Sequence, residues 1–230
     1  SLEVAKTIKE KLEKKNFKIV EEDYEIAIAI GGDGSFLRMI KETAFNEDFI
    51  YVGINAGTLG FAQEINLDEI GEFIKSLEQE DYKIEEIGIA EIEIKTPDSI
   101  SKQLALNEIV IRDLDLNTVN LKLMVEKELL ENYVGDGILI STSFGSTAYN
   151  LSFGGSIVYN TFHTLQITPI APLNNKSYRN LLNSVIIPSN KEISAIPENR
   201  TKDLLITIDG DNSESVSYTH LRAHETLMNL

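Results

Sequence analysis

A chain of 230 residues has room for one large domain or two small ones, and 42% hydrophobic against 25% charged residues is enough for a sizeable core. Its 37 Asp and Glu outnumber its 21 Lys and Arg, giving a formal net charge of -16; this excludes an extended nucleic-acid or anionic-membrane surface, because both need clustered cations, and leaves only a local basic pocket open. The absence of Cys excludes disulfides and thiolate metal sites and suits the cytoplasm; no apolar run reaches membrane-spanning length, and Ser1-Leu2-Glu3-Val4 carries no signal-peptide pattern.

Val4, Ile8 and Leu12 recur at helical spacing, so the chain opens with an amphipathic helix and runs through Phe17-Lys18-Ile19-Val20 toward a strand. An α/β domain ordinarily begins with a strand, so an edge strand is expected to be missing or cut away at the start. The run Ile26-Ala27-Ile28-Ala29-Ile30 suits a strand buried on both faces. It collapses into Gly31-Gly32-Asp33-Gly34 and resumes as a helix carrying Phe36, Leu37 and Ile40, with Ser35 placed to cap it. Backbone N–H groups at such a helix mouth attract phosphate, yet Asp33 sits among them and repels it unless a metal or a hydroxyl comes between. Two readings follow: phosphoryl transfer to a hydroxyl whose proton Asp33 takes, or a structural turn whose Asp caps the helix. A Walker loop is excluded because no Lys follows Gly34, and the dinucleotide fingerprint fails at Leu37, which stands where a third glycine is required.

Phe49 to Val52 reads as a second buried strand, ending in the glycine-rich loop Gly53-Ile54-Asn55-Ala56-Gly57-Thr58-Leu59-Gly60-Phe61. Ligands of open parallel sheets gather at such strand ends, so this loop and the Asp33 turn are expected to face one crevice. Asn66 with Glu69 forms a capping-box-like start for a helix whose buried face is Ile70, Phe73, Ile74 and Leu77. Beyond Tyr82 the period becomes alternating, at Ile87, Ile89, Ile92 and Ile94, and a domain boundary is expected near residue 86. Leu104 to Arg112, Val119 to Val125, Leu129 to Val134, Ile138 to Ser141, Ser184 to Ile187 and Leu204 to Ile208 read as short strands of a sandwich-like domain. The expected organisation is an α/β domain with a parallel sheet over 1–86 and an all-β sandwich-like domain over 87–216. The tail 217–230, with neither strand nor helix periodicity, is set aside as foreign to the fold.

Within the second domain Gly135-Asp136-Gly137 and Gly145-Ser146-Thr147-Ala148-Tyr149, continuing to Ser152, are too rich in glycine, hydroxyl and aromatic groups for a plain sandwich strand. Flat backbone, hydroxyl donors and a Tyr ring suit a purine, and Asp136 suits ribose hydroxyls or an amide. Upstream, Asn107-Glu108 interrupts an apolar strand either as a buried hydrogen-bonded pair or as ribose ligands.

The order Gly-Gly-Asp-Gly, then Asn-Glu, then Gly-Asp-Gly followed by Gly-Ser-Thr-Ala-Tyr, spread between Ile26 and Asp211, resembles the NAD kinase family. The resemblance implies transfer of the γ-phosphoryl group of ATP to the 2′-hydroxyl of the adenosine ribose of NAD, giving NADP. It implies Asp33 as general base. Gly31, Gly32, Gly34, Asn55, Gly57, Thr58, Leu59, Gly60 and Phe61 would cradle phosphate and nucleotide. Asn107 and Glu108 would orient ribose and adenine, and Asp136 would bind the nicotinamide-riboside end. Thr147, Ala148 and Tyr149 would line the adenine pocket with Ser152 beside them, and Ser146 would belong to the same NAD-binding set. Mg²⁺ would be held mainly by ATP rather than by a protein metal site, inorganic polyphosphate is an alternative donor, and a homodimer or homotetramer is implied. The chain departs from the family at Thr142-Ser143-Phe144, where a Thr-Pro-Thr or Thr-Pro-Ser is usual, and after Asp209-Gly210, where the tail does not resemble the family's last strands. A diacylglycerol- or sphingosine-type lipid kinase, which shares the Gly-Gly-Asp-Gly turn, and a silent nucleotide-binding module stand as alternatives.

Overall fold

The computed structural model of the chain describes residues 2–57, 63, 65–198, 201, 203–216 and 220–229, with side chains through Asp211 and at Ala223. The elements of the first part are α1 (Leu2–Glu13), β1 (Ile26–Gly31), α2 (Asp33–Glu42), β2 (Ile50–Asn55), β3 (Ile65–Asn66) and α3 (Ile70–Gln79). Then come β4 (Glu86–Lys95), β5 (Ile100–Ala105), β6 (Glu108–Asp113), β7 (Val119–Val125), β8 (Glu128–Thr142), the one-turn α4 (Tyr149–Ser152), β9 (Thr164–Pro172), β10 (Val185–Pro188), β11 (Ile193–Pro197), β12 (Leu204–Ile208), β13 (Asp211–Val216) and β14 (His220–Asn229). Two compact units divide the chain, Ser1–Glu86 with Met228–Leu230, and Ile87–Leu227. Among the described residues no helix is long and apolar enough to cross a membrane.

In the first unit β1, β2 and β3 form a parallel sheet in that order. Alternation sends Ile28, Ile30 and Ile54 to one face, where Ile8 and Leu12 of α1 and Ile70 and Ile74 of α3 cover them. Ala27 and Ala29 point the other way, and α2, with Phe36 and Ile40 fully buried, packs beside β1 and β2. The strand at 26–31 is less buried than its apolar run predicts: the isoleucines are only half-buried, because β1 is an edge strand. Nor does Ser35 cap α2. Gly32 is the N-cap and the helix begins at Asp33, so Ser35 already lies in the first turn with its N–H on the Gly32 carbonyl at 2.8 Å. The helix α3 begins at Ile70, later than the expected box places it, but the reciprocal bond of that box is present: Glu69 reaches back to the backbone N–H and Nδ2 of Asn66, both at 2.8 Å, and these bonds hold its carboxyl below the usual range.

The second unit is an antiparallel sheet in the order β13-β12-β6-β8-β7-β11-β14-β4-β5, with β9 on β8 and β10 on β9. Ile206 of β12 and Ile92 of β4 belong to one buried cluster although six strand positions separate them. Every residue of that cluster comes from a strand, so the sheet buries this face against itself.

Two expected strands, 129–134 and 138–141, are one 15-residue strand, β8, that runs unbroken through Gly135-Asp136-Gly137. Tyr133 faces the main core before these glycines and Ile138 and Ile140 face it after them, so the strand rotates across the triplet while keeping its ladder. Tyr133 donates to the Ile170 carbonyl at 2.7 Å, and burial raises its pKa well above the ordinary phenol value, so it stays a neutral donor. Conversely, the expected strand 104–112 is split into β5 and β6 at Leu106-Asn107. Strands β9, β11 and β13 were not expected, and neither was β14, where the tail shows no strand periodicity yet its backbone pairs with β11.

A Cβ at Gly135 would press on the Tyr133 ring and lie 2.9 Å from the Ala171 carbonyl, whereas one at Gly71, inside α3, meets nothing within 4 Å. We expect Gly135→Ala to lower the unfolding free energy of the second unit by about 1–3 kcal/mol. Gly71→Ala should raise that of the first by about 0.5–1 kcal/mol, both read by urea unfolding.

Candidate active site

The first set of site residues is built by the parallel pairing of β1 with β2. Gly31 stands opposite Asn55 at the strands' carboxyl ends, and Ala56 donates its N–H to the Gly31 carbonyl at 3.1 Å, so the two glycine-rich loops leave the sheet side by side. Gly32 is extended, and Asp33 is the first residue of α2, exposed among N–H groups whose partial positive charge favours an anion. Gly34 follows it in the first turn. The Asn55 side chain accepts the Gly57 N–H at 3.0 Å, so it shapes its own loop. Thr58, Leu59, Gly60 and Phe61 lie outside the described residues.

The second set is organised by Asp209. It sits with Gly210 in the two-residue turn between β12 and β13, both at positive φ, as a tight hairpin requires. Its buried carboxylate accepts the N–H groups of Leu106 at 2.9 Å, Asn107 at 2.7 Å and Glu108 at 3.2 Å. This local gathering of three amides is the physical reason that the apolar run 104–112 breaks into two strands. Asn107 and Glu108 thereby enter β6 at a fixed point, with Glu108 buried opposite Ser141.

The far side of that point is held by Thr142, whose backbone N–H donates to the Asn107 carbonyl at 2.9 Å and whose hydroxyl donates to the Leu106 carbonyl at 2.6 Å. The same hydroxyl accepts the Gly145 N–H at 2.9 Å and so starts the turn Phe144–Thr147. Asn107, Glu108 and Ser146 are thus brought together around Thr142. Ser143, where the family has Pro, donates its hydroxyl to the Phe162 carbonyl and pairs with Thr164 at 3.0 Å, which ties the turn to the start of β9 without a ring.

Ser146 is fully buried, with its hydroxyl donating to the Val158 carbonyl at 3.1 Å and accepting the Val158 N–H at 3.0 Å, so its side chain is committed to the fold. Thr147 and Ala148 are half-buried, while Tyr149 and Ser152 are exposed. Asn150 is buried between them, taking the Thr168 hydroxyl at 2.6 Å and donating to the Ser146 carbonyl at 3.1 Å. Asp136 is exposed on β8, five residues before Ser141, or about 17 Å along the strand. That spacing separates it from the Asn107 cluster by a length suited to an extended ligand.

Sequence reasoning missed Asp209 and Arg112. Arg112, opposite Gly137, donates from Nη2 to the Tyr149 hydroxyl at 3.2 Å. Neither has a local pattern that announces it: Asp209 acts on amides a hundred residues away, and Arg112 reads as an ordinary solvated position in an alternating strand. The two sets of site residues lie in different units. Among the described residues no three His, Cys, Asp or Glu side chains gather as a metal site.

Family profiles described as the ATP-NAD kinase N-terminal and C-terminal domains match residues 2–82 and 106–221. The NAD kinase of Finegoldia magna is 40% identical over 233 residues, covering 96% of this chain and 85% of the relative. That of Streptococcus gordonii is 34% identical over 223 residues, covering 96% of this chain and 80% of its own. Two solved structures share the fold. One is yeast NADH kinase complexed with NADH, with a TM-score of 0.80 and 23% identity over 90% of this chain and 61% of that one. The other is an NAD kinase from Archaeoglobus fulgidus in complex with ATP, with a TM-score of 0.73 and 21% identity over 98% and 88%.

Replacing the carboxylate that holds three amides leaves buried donors unsatisfied. Asp209→Asn should cost the second unit about 2–4 kcal/mol in urea unfolding and speed hydrogen exchange at the amides of Leu106, Asn107 and Glu108.

Proposed function

The chain belongs to the NAD kinase family, and on that footing we propose that it transfers the γ-phosphoryl group of ATP to the 2′-hydroxyl of the adenosine ribose of NAD, with Asp33 as the general base. The observation that carries the role of Asp33 is its place at the first position of α2, exposed beside the end of β2. A carboxylate there is within a phosphate-favouring helix mouth, so it stands where a hydroxyl approaching phosphate must lose its proton.

The 2′-oxygen attacks the γ-phosphorus, the bond from that phosphorus to the β,γ-bridging oxygen breaks, and ADP leaves. The hydroxyl proton passes to the Asp33 carboxylate. A carboxylate is a weak base for an alcohol, so the proton moves late and Asp33 acts chiefly by position. Backbone N–H groups of Gly32, Asp33 and Gly34 would hold phosphate oxygens. Mg²⁺ would be held mainly by the ATP phosphates and would neutralise their charge; the single exposed carboxylate of Asp33 fits an ion carried by substrate better than a resident one.

Asn107 and Glu108 would take ribose and adenine polar groups, Thr147, Ala148 and Tyr149 would form the adenine wall with Ser152 at its rim, and Asp136 would bind the nicotinamide-riboside end. Ser146 supports this wall from behind, given its bonds to Val158. Gly57 to Phe61 complete the phosphate loop in this reading. Localisation to the cytoplasm and assembly as a homodimer or homotetramer belong to the same proposal, carried by family resemblance. No observation favours a lipid kinase or a silent module.

The test compares the full chain with Asp33→Asn in a coupled assay for NADP formed from NAD and Mg·ATP. We expect kcat to fall about 10²- to 10⁴-fold while NAD still binds by titration calorimetry. Undiminished turnover by Asp33→Asn would remove Asp33 from the role of base.

A further inference from the structure

Arg112 has no part in the roles set out above, yet its guanidinium lies against one of the proposed adenine-wall residues, Tyr149, and the ring beside it, Phe153. Its Nη2 donates to the Tyr149 hydroxyl at 3.2 Å, and its guanidinium carbon lies 5.9 Å from the Tyr149 ring centroid and 5.6 Å from that of Phe153. Tyr149 and Phe153 meet edge to face at 4.8 Å and 73°. Phe153 in turn packs on Val110, Leu139 and Ile170, so the ring pair is anchored in the sheet. Tyr149 itself remains 42% exposed, which leaves ring surface for a ligand.

The way Arg112 reaches this position involves Gly137. The two residues are partners across β6 and β8, and a Cβ on Gly137 would lie 2.8 Å from Cγ of Arg112 and 2.5 Å from the Ile111 carbonyl. The missing side chain gives the arginine stem its path over the strand. The Arg112 Nε is buried and has no acceptor among the described residues. A guanidinium placed to knit the fold together would be expected to satisfy that nitrogen; this one is arranged around two rings and a phenol hydroxyl.

We propose that Arg112 is the positioning residue for Tyr149: it fixes the ring's hydroxyl and lies against the ring pair, so that a planar base meets a preset wall and not a rotating side chain. The inference rests on the reading of Tyr149 as part of the dinucleotide site, and it gives the second glycine of Gly-Asp-Gly a purpose distinct from ligand contact. It also puts a cation in a strongly acidic protein at this point, across the strands from Gly137, the sequence neighbour of the exposed Asp136.

Arg112→Met keeps an unbranched stem beside Gly137 and removes the charge and the donor. It should raise KM for NAD about three- to tenfold, with kcat, KM for ATP and the thermal midpoint little changed. Arg112→Lys, which retains a cation but not the planar fork, should fall between the two. Without any ligand, the Tyr149 ring signal in a proton–carbon NMR spectrum, identified by its loss in Tyr149→Phe, should shift in Arg112→Met. An unmoved ring signal, or a shifted one with KM for NAD unchanged, overturns the proposal. If the wild-type chain neither binds nor phosphorylates NAD, the dinucleotide reading fails and the wall has no function to be positioned for; the ring signal then decides only whether Arg112 holds Tyr149.

Discussion

One carboxylate governs the geometry of the second unit. Asp209 collects the amides of Leu106, Asn107 and Glu108, and in doing so turns an apolar stretch that would continue as one strand into two. Three N–H groups that leave a β-ladder need another acceptor, and an ionised oxygen pair is among the strongest on offer. The cost of burying that charge is met by these bonds and by its fixed place in the hairpin turn. Everything around Asn107 then follows: Thr142 closes the other side of the break, and its hydroxyl starts the turn that leads to Tyr149.

The first unit solves a different problem with fewer parts. Two parallel strands ending side by side project two loops together, and a helix beginning directly after one of them turns its N–H groups toward the same side. No side chain caps that helix, so its electropositive mouth is left to an anion. Bulk charge says nothing of this. The net charge of -16 describes the solvated surface, while helix α2 in the first unit and Arg112 in the second supply positive potential locally.

Local chemistry was legible wherever it was decided locally. The strand–glycine–helix passage at 26–42 and the strands at 119–125 and 204–208 show in the chain because alternation, β-branching and turn residues agree there. Three features were not legible, each for a non-local reason. The break at Leu106-Asn107 depends on Asp209, and the continuity of β8 through Gly-Asp-Gly depends on the paired strands β6, β7 and β9, which hold a stretch that reads as a turn. Strand β9 contains Pro169 and Pro172, which argue against a strand, but β10 pairs only with residues 164–167 and has ended before either proline. Among the site residues, the resemblance implies Ser146 in the NAD-binding set, and what no local pattern shows is that its buried hydroxyl bonds both the carbonyl and the N–H of Val158. Tyr149 was visible from the motif, but Arg112, which holds it, was not.

The measurement that tests the central claim most directly is phosphorus NMR of the products when the full chain is given NAD and Mg·ATP. We expect a new phosphomonoester signal on the dinucleotide, assigned to the 2′-oxygen of the adenosine ribose, growing in step with ADP. Release of inorganic phosphate with NAD left unmodified, or phosphate appearing at any other oxygen of the dinucleotide, would contradict it.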